Sequence, residues 1–252
     1  MPRIHLILEY DGTDYSGWQR QDNAPTVQQT AEEALLRLTG EKTVLHAASR
    51  TDAGVHALGQ SAHFDTESRI PPEKFSYAMN ALLPPDVRVR SSRLVPGDFH
   101  AQRDALGKRY RYLFYNSPHA GAINRRTHAH IYYPMDVSRM SEAAEALRGR
   151  HDFIAFAASG FSVKTTVRTI WDARVRDLGE GEIALTVEGD GFLYNMVRII
   201  AGTLAAIGTG RLGEDAIARA LASGDRLDLG PTAPALGLTL MKVFYEGDVK
   251  GA

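Results

Sequence analysis

The sequence contains no cysteine among its 252 residues. Disulfide bonds, thiolate zinc sites and cysteine nucleophiles are therefore excluded, and we expect a reducing compartment, the cytoplasm. Long hydrophobic runs are also missing. No apolar segment reaches the ~20 residues that a membrane span needs, and the apolar run near the N-terminus is too short for a signal peptide, so we expect no membrane association.

Neither sign of charge is in excess. The 29 Lys and Arg residues are matched by 30 Asp and Glu residues, which gives a formal net charge of −1. This balance argues against a protein that coats nucleic acid without selection. Basic residues nonetheless gather at residues 108–111 and 124–126, so a local basic face and an ordinary mixed surface both stay open.

The pattern of apolar residues predicts the fold class, because alternation is typical of strands and spacing by three or four of helices. The order β-α-β-β-α-β occupies the first hundred residues and recurs from Lys108. We predict an α+β protein of two tandem ferredoxin-like (RRM-like) halves, residues 1–104 and 105–252, with a mainly antiparallel sheet, helices on one side and a central active-site cleft. The predicted strands are residues 3–10, 43–47, 59–65, 87–94, 109–115, 169–177, 182–188 and 237–245, and the predicted helices are residues 25–38, 71–83, 136–147, 192–207 and 214–222.

The segment SRTDAGVHALGQSAHF, residues 49–64, joins a small-residue loop to the start of an alternating strand. Asp52 followed by Ala and Gly is ordinary turn chemistry, so a structural turn is one interpretation. The nearby Arg50 and the flexible Gly54 favour another, in which a carboxylate is presented to a ligand at the end of a strand.

Three histidines around this loop, His46, His56 and His63, could in principle bind a catalytic zinc ion. Their spacing matches no recurring ligand pattern, and His63 follows the alternation of the predicted strand. We therefore interpret His56 and His63 as hydrogen-bonded scaffold residues and predict no metal.

Arg198 is the only formally charged residue between Asp190 and Arg211, in the apolar segment FLYNMVRIIAGTL. A guanidinium that leaves water with an apolar helix needs a carboxylate partner, and Asp52 is a good candidate. The alternative is that the side chain extends to solvent.

The strand KRYRYLFY, which begins at Lys108, alternates rings and charges. Tyr110, Tyr112 and Phe114 would share one face and the arginines the other. RNA-binding sheets use such rings to stack bases, whereas in most proteins aromatic residues on a strand belong to the core.

Taken together, these segments resemble the tRNA pseudouridine synthase A family. They span residues 3–245, which is nearly the whole chain. The matching motifs are YDGTDYSGWQRQ (10–21), RTDAGVHA (50–57), FHA (99–101), KRYRY (108–112) and FLYNMVR (192–198).

The resemblance implies isomerisation of uridine to pseudouridine at positions 38, 39 and 40 in the anticodon stem–loop of tRNA. It implies no cofactor, and a homodimer in which one tRNA contacts both subunits. Asp52 would be the essential carboxylate, Tyr110 the active-site tyrosine and Arg198 the basic partner of Asp52. The residues expected to bind the RNA substrate are Arg50, beside the flipped nucleotide, and Tyr110, Arg20, His56, Lys108 and Arg109.

Two positions depart from the family pattern. Ser49 stands where Gly is usual, and it would be strained if the backbone there had a positive φ. Thr239 stands where an aromatic residue is more frequent. Neither belongs to the expected catalytic set.

Two other function classes stay open at this point. A non-catalytic RNA-binding module would bind tRNA without forming product and would not depend on Asp52. A metal-dependent hydrolase using His46, His56 and His63 would contain bound zinc.

Overall fold

The computed structural model describes residues 1–158, 160 and 163–248. Its backbone contacts group the chain into two units: Met1–Leu106 with the described part of Thr239–Ala252, and Gly107–Leu238. The predicted halves differ from these units chiefly in the last strand, which groups with the N-terminal unit. Each unit combines helices with mainly antiparallel strands, so the predicted α+β class is confirmed.

The helices and strands follow closely the predicted order. The first unit contains β1 (Arg3–Tyr10), α1 (Val27–Thr39), β2 (His46–Ala47), β3 (His56–Asp65), α2 (Phe75–Asn80) and β4 (Val87–Val95). The second contains β5 (Gly107–Asn116), β6 (Ala129–Ile131), α3 (Val137–Glu145), β7 (Gly149–Asp152), β8 (Val167–Gly179), β9 (Glu182–Gly189), α4 (Met196–Gly208) and α5 (Ala216–Ser223). The last strand is β10 (Leu238–Phe244).

The strands of the first unit are arranged around β1 and β3. Strand β1 pairs antiparallel with both β3 and β4, and β2 pairs antiparallel with β3. This order, β4-β1-β3-β2, is that of a ferredoxin-like unit. Strand β10 adds a parallel pairing, with Thr239 opposite His56 at the start of β3.

Helix α1 shows how the sequence defines an element of this unit. The Thr26 side chain caps its N-terminus by accepting the N–H of Gln29 at 3.3 Å, and Gly40 ends it in the left-handed conformation with a φ of 76°. Its apolar stripe is buried, and a fully buried aliphatic side chain contributes about 1.5–3 kcal/mol. The buried aliphatic residues of the stripe and of β1 are Val27, Ala31, Ala34, Leu35, Ile4, Leu6 and Leu8.

In the second unit, β5, β9, β8 and β7 pair antiparallel in that order, and β6 runs parallel to β5. Helix α4 is buried along almost its whole length. Residues 229–234, which we call the strap, cross it closely. A Cβ atom on Gly202 would overlap the carbonyl of Pro231, and the N–H of Gly230 donates to Thr203 Oγ1 at 3.0 Å. Glycine at position 202 is therefore required for this approach.

Several predicted elements differ from the observed ones. The predicted helix 71–83 is a 3-10 turn followed by the short α2, and the predicted strand 43–47 is only His46–Ala47. Helix α4 begins at Met196 instead of residue 192. Strands β6 and β7 were not predicted, because three or four residues are too few to show an alternation. None of the helices in the described residues has the length and hydropathy of a membrane span.

Two buried histidines in the first unit, His5 and His63, should make the protein less stable in weak acid. Burial, aided by nearby Arg93 for His5 and Arg3 for His63, lowers the pKa of each imidazole from 6.5 to about 4. The unfolded chain therefore takes up protons below pH 6.5 that the folded protein does not bind until about pH 4, so stability is present above pH 6.5 and falls as the pH drops. Urea unfolding should show a loss of up to about 2 kcal/mol per histidine between pH 7 and pH 5.

The control is His63→Asn, because an Asn Oδ1 can accept the Ala101 N–H that His63 Nδ1 accepts at 3.2 Å, without titrating. This variant should lose roughly half as much stability on acidification as the parent protein. An equal loss in both proteins would contradict the assignment.

Candidate active site

Asp52 lies in the loop between β2 and β3, half-buried, with Arg50 exposed beside it. The carbonyl of Asp52 accepts the N–H of Val55 at 3.1 Å, which closes a turn. Gly54, inside that turn, has a φ of 76° and donates its N–H to the Tyr15 carbonyl at 3.2 Å. The predicted loop thus presents a carboxylate at the start of β3.

The N-terminal motif, residues 10–21, packs directly on this loop. The N–H of Trp18 donates to the Thr51 carbonyl at 3.0 Å. Gly17 has a φ of 87°, and a Cβ there would lie 2.5 Å from the Thr51 carbonyl oxygen. A Cβ on Gly12 would overlap the carbonyl of Val55. Residues 10–21 and residues 50–57, which are separate motifs in the sequence, therefore form one structural element. The glycines of this element allow the two backbones to approach closely.

A buried polar clamp fixes the residues on both sides of Arg50. The Tyr10 hydroxyl and Thr51 Oγ1 share a hydrogen bond of 2.8 Å, and Gln60 Nε2 donates to the Ser49 carbonyl at 2.7 Å. Gln60 Nε2 also approaches the Tyr10 hydroxyl, at 3.4 Å. Because Ser49 and Thr51 are both buried, the clamp leaves Arg50 directed outward while it holds the backbone that carries Asp52.

The expected strain at Ser49 does not arise. Among the described residues other than glycine, only Glu180 and Asn195 have a positive φ. Serine is therefore accommodated at position 49 without a left-handed backbone. Thr239, the other departure from the family pattern, is buried in β10 opposite His56.

The histidines near the loop serve different purposes. His56 is 5% exposed, and its Nδ1 accepts the N–H of Gly12 at 3.0 Å and lies 3.2 Å from Asp11 Oδ1. It therefore links the two motifs from inside. His46 and His63 stack on each other instead, with ring centroids 5.1 Å apart. No cluster of three or more His, Asp or Glu in the described residues could hold a metal ion, which leaves the hydrolase hypothesis without a ligand set there.

Arg20, expected to bind RNA, is partly committed to the scaffold. Its Nη1 lies 3.1 Å from Oε2 of the buried Glu32, and its guanidinium side chain remains 54% exposed. Glu32 also accepts the N–H of Leu45 and the amide of Gln28. One buried carboxylate thus joins α1 to the segment before β2.

On β5, the three rings of the predicted stacking face have different environments. Tyr112 and Phe114 are core residues, 0% and 1% exposed, and the Tyr112 hydroxyl donates to the Pro234 carbonyl at 2.7 Å. Burial raises the pKa of Tyr112 well above its usual value. Tyr110 keeps 7% exposure and meets Phe192 edge-on, with centroids 5.1 Å apart. Tyr110 is therefore also buried, but it is the most exposed of the three rings.

The basic residues Lys108 and Arg109 of β5 differ in how their charges are balanced. Arg109 Nε lies 2.6 Å from Glu188 Oε1 on the neighbouring strand β9. Burial, together with the charge of Arg168, lowers the pKa of Lys108 to about 8. Lys108 is thus partly neutral in mildly alkaline solution, and the charge of Arg109 is largely balanced.

Arg198 lies in the first turn of α4, where two groups fix its guanidinium. Nη1 donates to Asn195 Oδ1 at 2.7 Å, and Nε donates to the carbonyl of Ala233 in the strap at 2.8 Å. Asn195 adopts a φ of 60°, which ends the preceding loop and delays the start of the helix. These two contacts of Arg198, with Asn195 and Ala233, were not predicted from the sequence. An Asn just before an apolar helix is a signal for this conformation, since Asn tolerates it better than most residues.

The known proteins that this chain is similar to share one description. The profile described as tRNA pseudouridine synthase matches residues 6–102 and 143–246. The protein named tRNA pseudouridine synthase A from Ruminiclostridium cellulolyticum is 51% identical over 245 residues, which cover 97% of this chain and 100% of that protein. Those of Acetivibrio thermocellus and Geotalea uraniireducens are 51% and 48% identical over the same shares.

This chain belongs to the tRNA pseudouridine synthase family. The resemblance seen in the sequence is therefore confirmed. The profile of the tRNA pseudouridine synthases includes Asp52 in its first matched segment and Arg198 in its second, whereas Tyr110 lies between the two. The individual roles of these residues remain predictions.

The contact from Asn195 to Arg198 can be tested apart from the backbone that Asn195 provides. Asn195→Gly should keep the left-handed conformation and remove the acceptor, so stability should stay within about 1 kcal/mol of the parent protein. The turnover number on tRNA should fall about tenfold or more, because the guanidinium loses one of its fixed positions. Asn195→Asp, which keeps an acceptor oxygen, should lose much less. Equal activity of the Gly variant and the parent protein would contradict a positioning role.

Proposed function

We propose that this chain isomerises uridines 38, 39 and 40 in the anticodon stem–loop of tRNA to pseudouridine, with Asp52 as the essential carboxylate. The observation that carries the proposal is the packing of residues 10–21 on residues 50–57, in a chain of this family. That packing leaves the Asp52 side chain half-buried next to an exposed Arg50.

The overall reaction needs no consumed partner. The C1′–N1 bond breaks, the base rotates, a C1′–C5 bond forms, the proton on C5 leaves and N1 takes up a proton. Substrate and product are isomers, so no oxidant, reductant or group donor is used. Asp52 would act by attack on C1′, by attack on the pyrimidine ring, or by assisting proton removal that gives a glycal. Each of these routes starts from the ionised carboxylate.

We assign Arg198 as the basic partner of Asp52 and Tyr110 as the residue that stacks on the target base. A cation near Asp52 would favour its ionised form, and Asn195 and Ala233 give the Arg198 guanidinium a fixed orientation. The Tyr110 hydroxyl would then help to remove the C5 proton after the base has rotated.

The target nucleotide has to leave its stacked position in the stem–loop, since its reacting atoms are hidden there. Arg50 would hold the RNA beside the flipped nucleotide. We expect Arg50 to contribute more than Arg20 or Arg109, because those two are paired with Glu32 and Glu188. Lys108 would add a charge that weakens near pH 8.

Product mapping tests the proposed function. The purified protein is incubated with a tRNA transcript, which is then digested, and pseudouridine is located by mass spectrometry. The proposal expects product at uridines 38, 39 and 40 only, and none in a matched transcript with cytidine at those positions. Tight binding without product would favour the non-catalytic RNA-binding module instead.

Two further properties belong to the proposal. We propose a homodimer, supported by a largely apolar cavity of about 550 Å³ in the second unit, whose rim exposes Tyr132 and Tyr133. Sedimentation velocity tests it, since a monomer at micromolar concentration would contradict it. We also propose a cytoplasmic location, from the absence of cysteine.

A further inference from the structure

A polar groove of about 210 Å³ opens in the first unit beside Arg50. Trp18, His46, His100 and Gln102 are among the residues that line it. Pockets that enclose a whole small molecule usually measure ~300–1,000 Å³. The groove therefore fits one part of a longer ligand better than a free metabolite.

His46 gives the groove a flat, exposed ring. The ring stacks on His63 at a centroid distance of 5.1 Å and an interplanar angle of 26°. His63 is buried and its pKa is lowered to about 4 by burial, so the lower ring of the stack is neutral near pH 7. The His46 side chain makes no hydrogen bond with the described residues. The His100 ring lies beside it, at a centroid distance of 5.9 Å and a tilt of 46°, and His46 nonetheless remains exposed. The exposed part of the His46 ring can therefore stack with another aromatic ring.

The groove also carries donors and a cation. His100 Nδ1 accepts the N–H groups of Gln102 and Arg103, at 3.2 Å and 3.3 Å, so in the neutral ring the proton is on Nε2. That Nε2–H has no partner among the described residues. Arg50 supplies an exposed guanidinium. No carboxylate lines the groove in the part of the chain that the structure describes.

A stacking ring, an N–H donor and a cation match the parts of a nucleotide, whose base stacks and whose carbonyl and phosphate oxygens accept hydrogen bonds. Arg50, which lines the groove, is also close to Asp52, the proposed catalytic carboxylate. Arg50 and Asp52 are two residues apart, so their Cα atoms are separated by at most about 7 Å.

We propose that this groove binds one unpaired nucleotide of the RNA, adjacent to the target uridine, with its base stacked on His46 and its phosphate at Arg50. This inference rests on the proposed function, because it takes the target uridine to lie at Asp52. The groove then selects substrates in which the neighbouring nucleotide can unstack from the loop.

The test compares His46→Ala with His46→Phe. Both are made in the Asp52→Asn background, and the dissociation constant of a fluorescent anticodon stem–loop is measured by anisotropy. His46→Ala should weaken binding about 5- to 30-fold, because loss of one base–ring stack costs that much. His46→Phe keeps a ring and should restore most of the affinity. Tyr77→Ala, which removes an exposed ring elsewhere in the first unit, should bind as the parent does.

An abasic substitution identifies the nucleotide. In a stem–loop that lacks the base next to the target, on one side or the other, the His46→Ala penalty should disappear. The groove proposal is overturned if His46→Ala binds the intact stem–loop as tightly as the parent, or if His46→Phe binds no better than His46→Ala. It is also overturned if neither abasic stem–loop removes the penalty.

The outcome is separable from that of the proposed function. If the chain with Asp52 intact forms no pseudouridine while the His46 variants behave as expected, the function fails, and the groove remains a nucleotide site with no target uridine beside it. If pseudouridine forms and the His46 variants bind normally, only the groove fails. Unfolding curves of the variants check that His46→Ala retains the pairing of β2 with β3.

Discussion

Asp52→Asn is expected to lower the single-turnover rate of pseudouridine formation by about 1,000-fold or more. The change removes the negative charge that every candidate route uses and leaves a side chain of almost the same shape. Losses of this size are usual when a nucleophile or an acid–base group is removed. The loop itself should survive, because its backbone is held through Thr51 by Tyr10 and Trp18, and through Ser49 by Gln60.

Binding and unfolding measurements complete this prediction. The dissociation constant for tRNA should stay within about threefold of the parent value, and the free energy of unfolding within about 1 kcal/mol. A variant that had lost both activity and stability would indicate a structural role for Asp52. Asp52→Ala, which removes the side chain, should be equally inactive.

Gly17→Ala is expected to have the second-largest effect, by displacing the catalytic loop. Its Cβ would lie 2.5 Å from the Thr51 carbonyl oxygen and 3.1 Å from the carbonyl carbon of Asp52. The loop backbone has to move to accept the methyl group, and small errors in the position of a catalytic group cost about 100-fold in rate. We expect a loss of that size in the turnover number on tRNA.

The chain offers a matched control for the backbone strain of this variant. Gly40 also has a positive φ, 76° against 87° at Gly17, but a Cβ there would meet nothing within 4 Å. Both alanine variants should lose about 1–2 kcal/mol of stability from the left-handed conformation. Only Gly17→Ala should lose activity. Normal activity in Gly17→Ala, or an equal loss in Gly40→Ala, would show that the contact with the loop does not matter.

Parts of the fold that depend only on residues close together in the chain could be predicted from the sequence. The alternation in residues 3–10 predicted β1 with its observed bounds, and Thr26 is the cap of α1. The turn between β8 and β9 contains Glu180 between two glycines, all three with positive φ. Such features depend on neighbours in the chain, so they can be read from it directly.

Features that depend on distant residues could not be read in this way. The apolar spacing of residues 192–195 is helical, yet Asn195 takes a left-handed conformation and α4 starts after it. The clamp on Ser49 and Thr51 needs Tyr10 from β1 and Gln60 from β3, which tertiary packing brings together. Nor could the sequence tell that Tyr112 and Phe114 are buried while Tyr110 keeps some exposure.

In the candidate site, too, some residues could be predicted from the sequence and the contacts of others could not. Asp52, Arg50 and Arg198 were predicted as candidates because a carboxylate in a small-residue loop and a lone arginine in an apolar segment are unusual in sequence. The environments of Arg20, His56 and Arg109 were not foreseeable. Glu32, the Gly12 N–H and Glu188, which contact them, lie 12, 44 and 79 residues away.

The most direct measurement is tritium release from tRNA that carries [5-³H]uridine at positions 38, 39 and 40. The proton on C5 is lost only when the base has been rejoined to the sugar through that carbon, so release reports the isomerisation itself. We expect release by the parent protein and almost none by folded Asp52→Asn at equal tRNA occupancy. Release at the parent rate by Asp52→Asn, or none by the parent protein, would contradict this expectation.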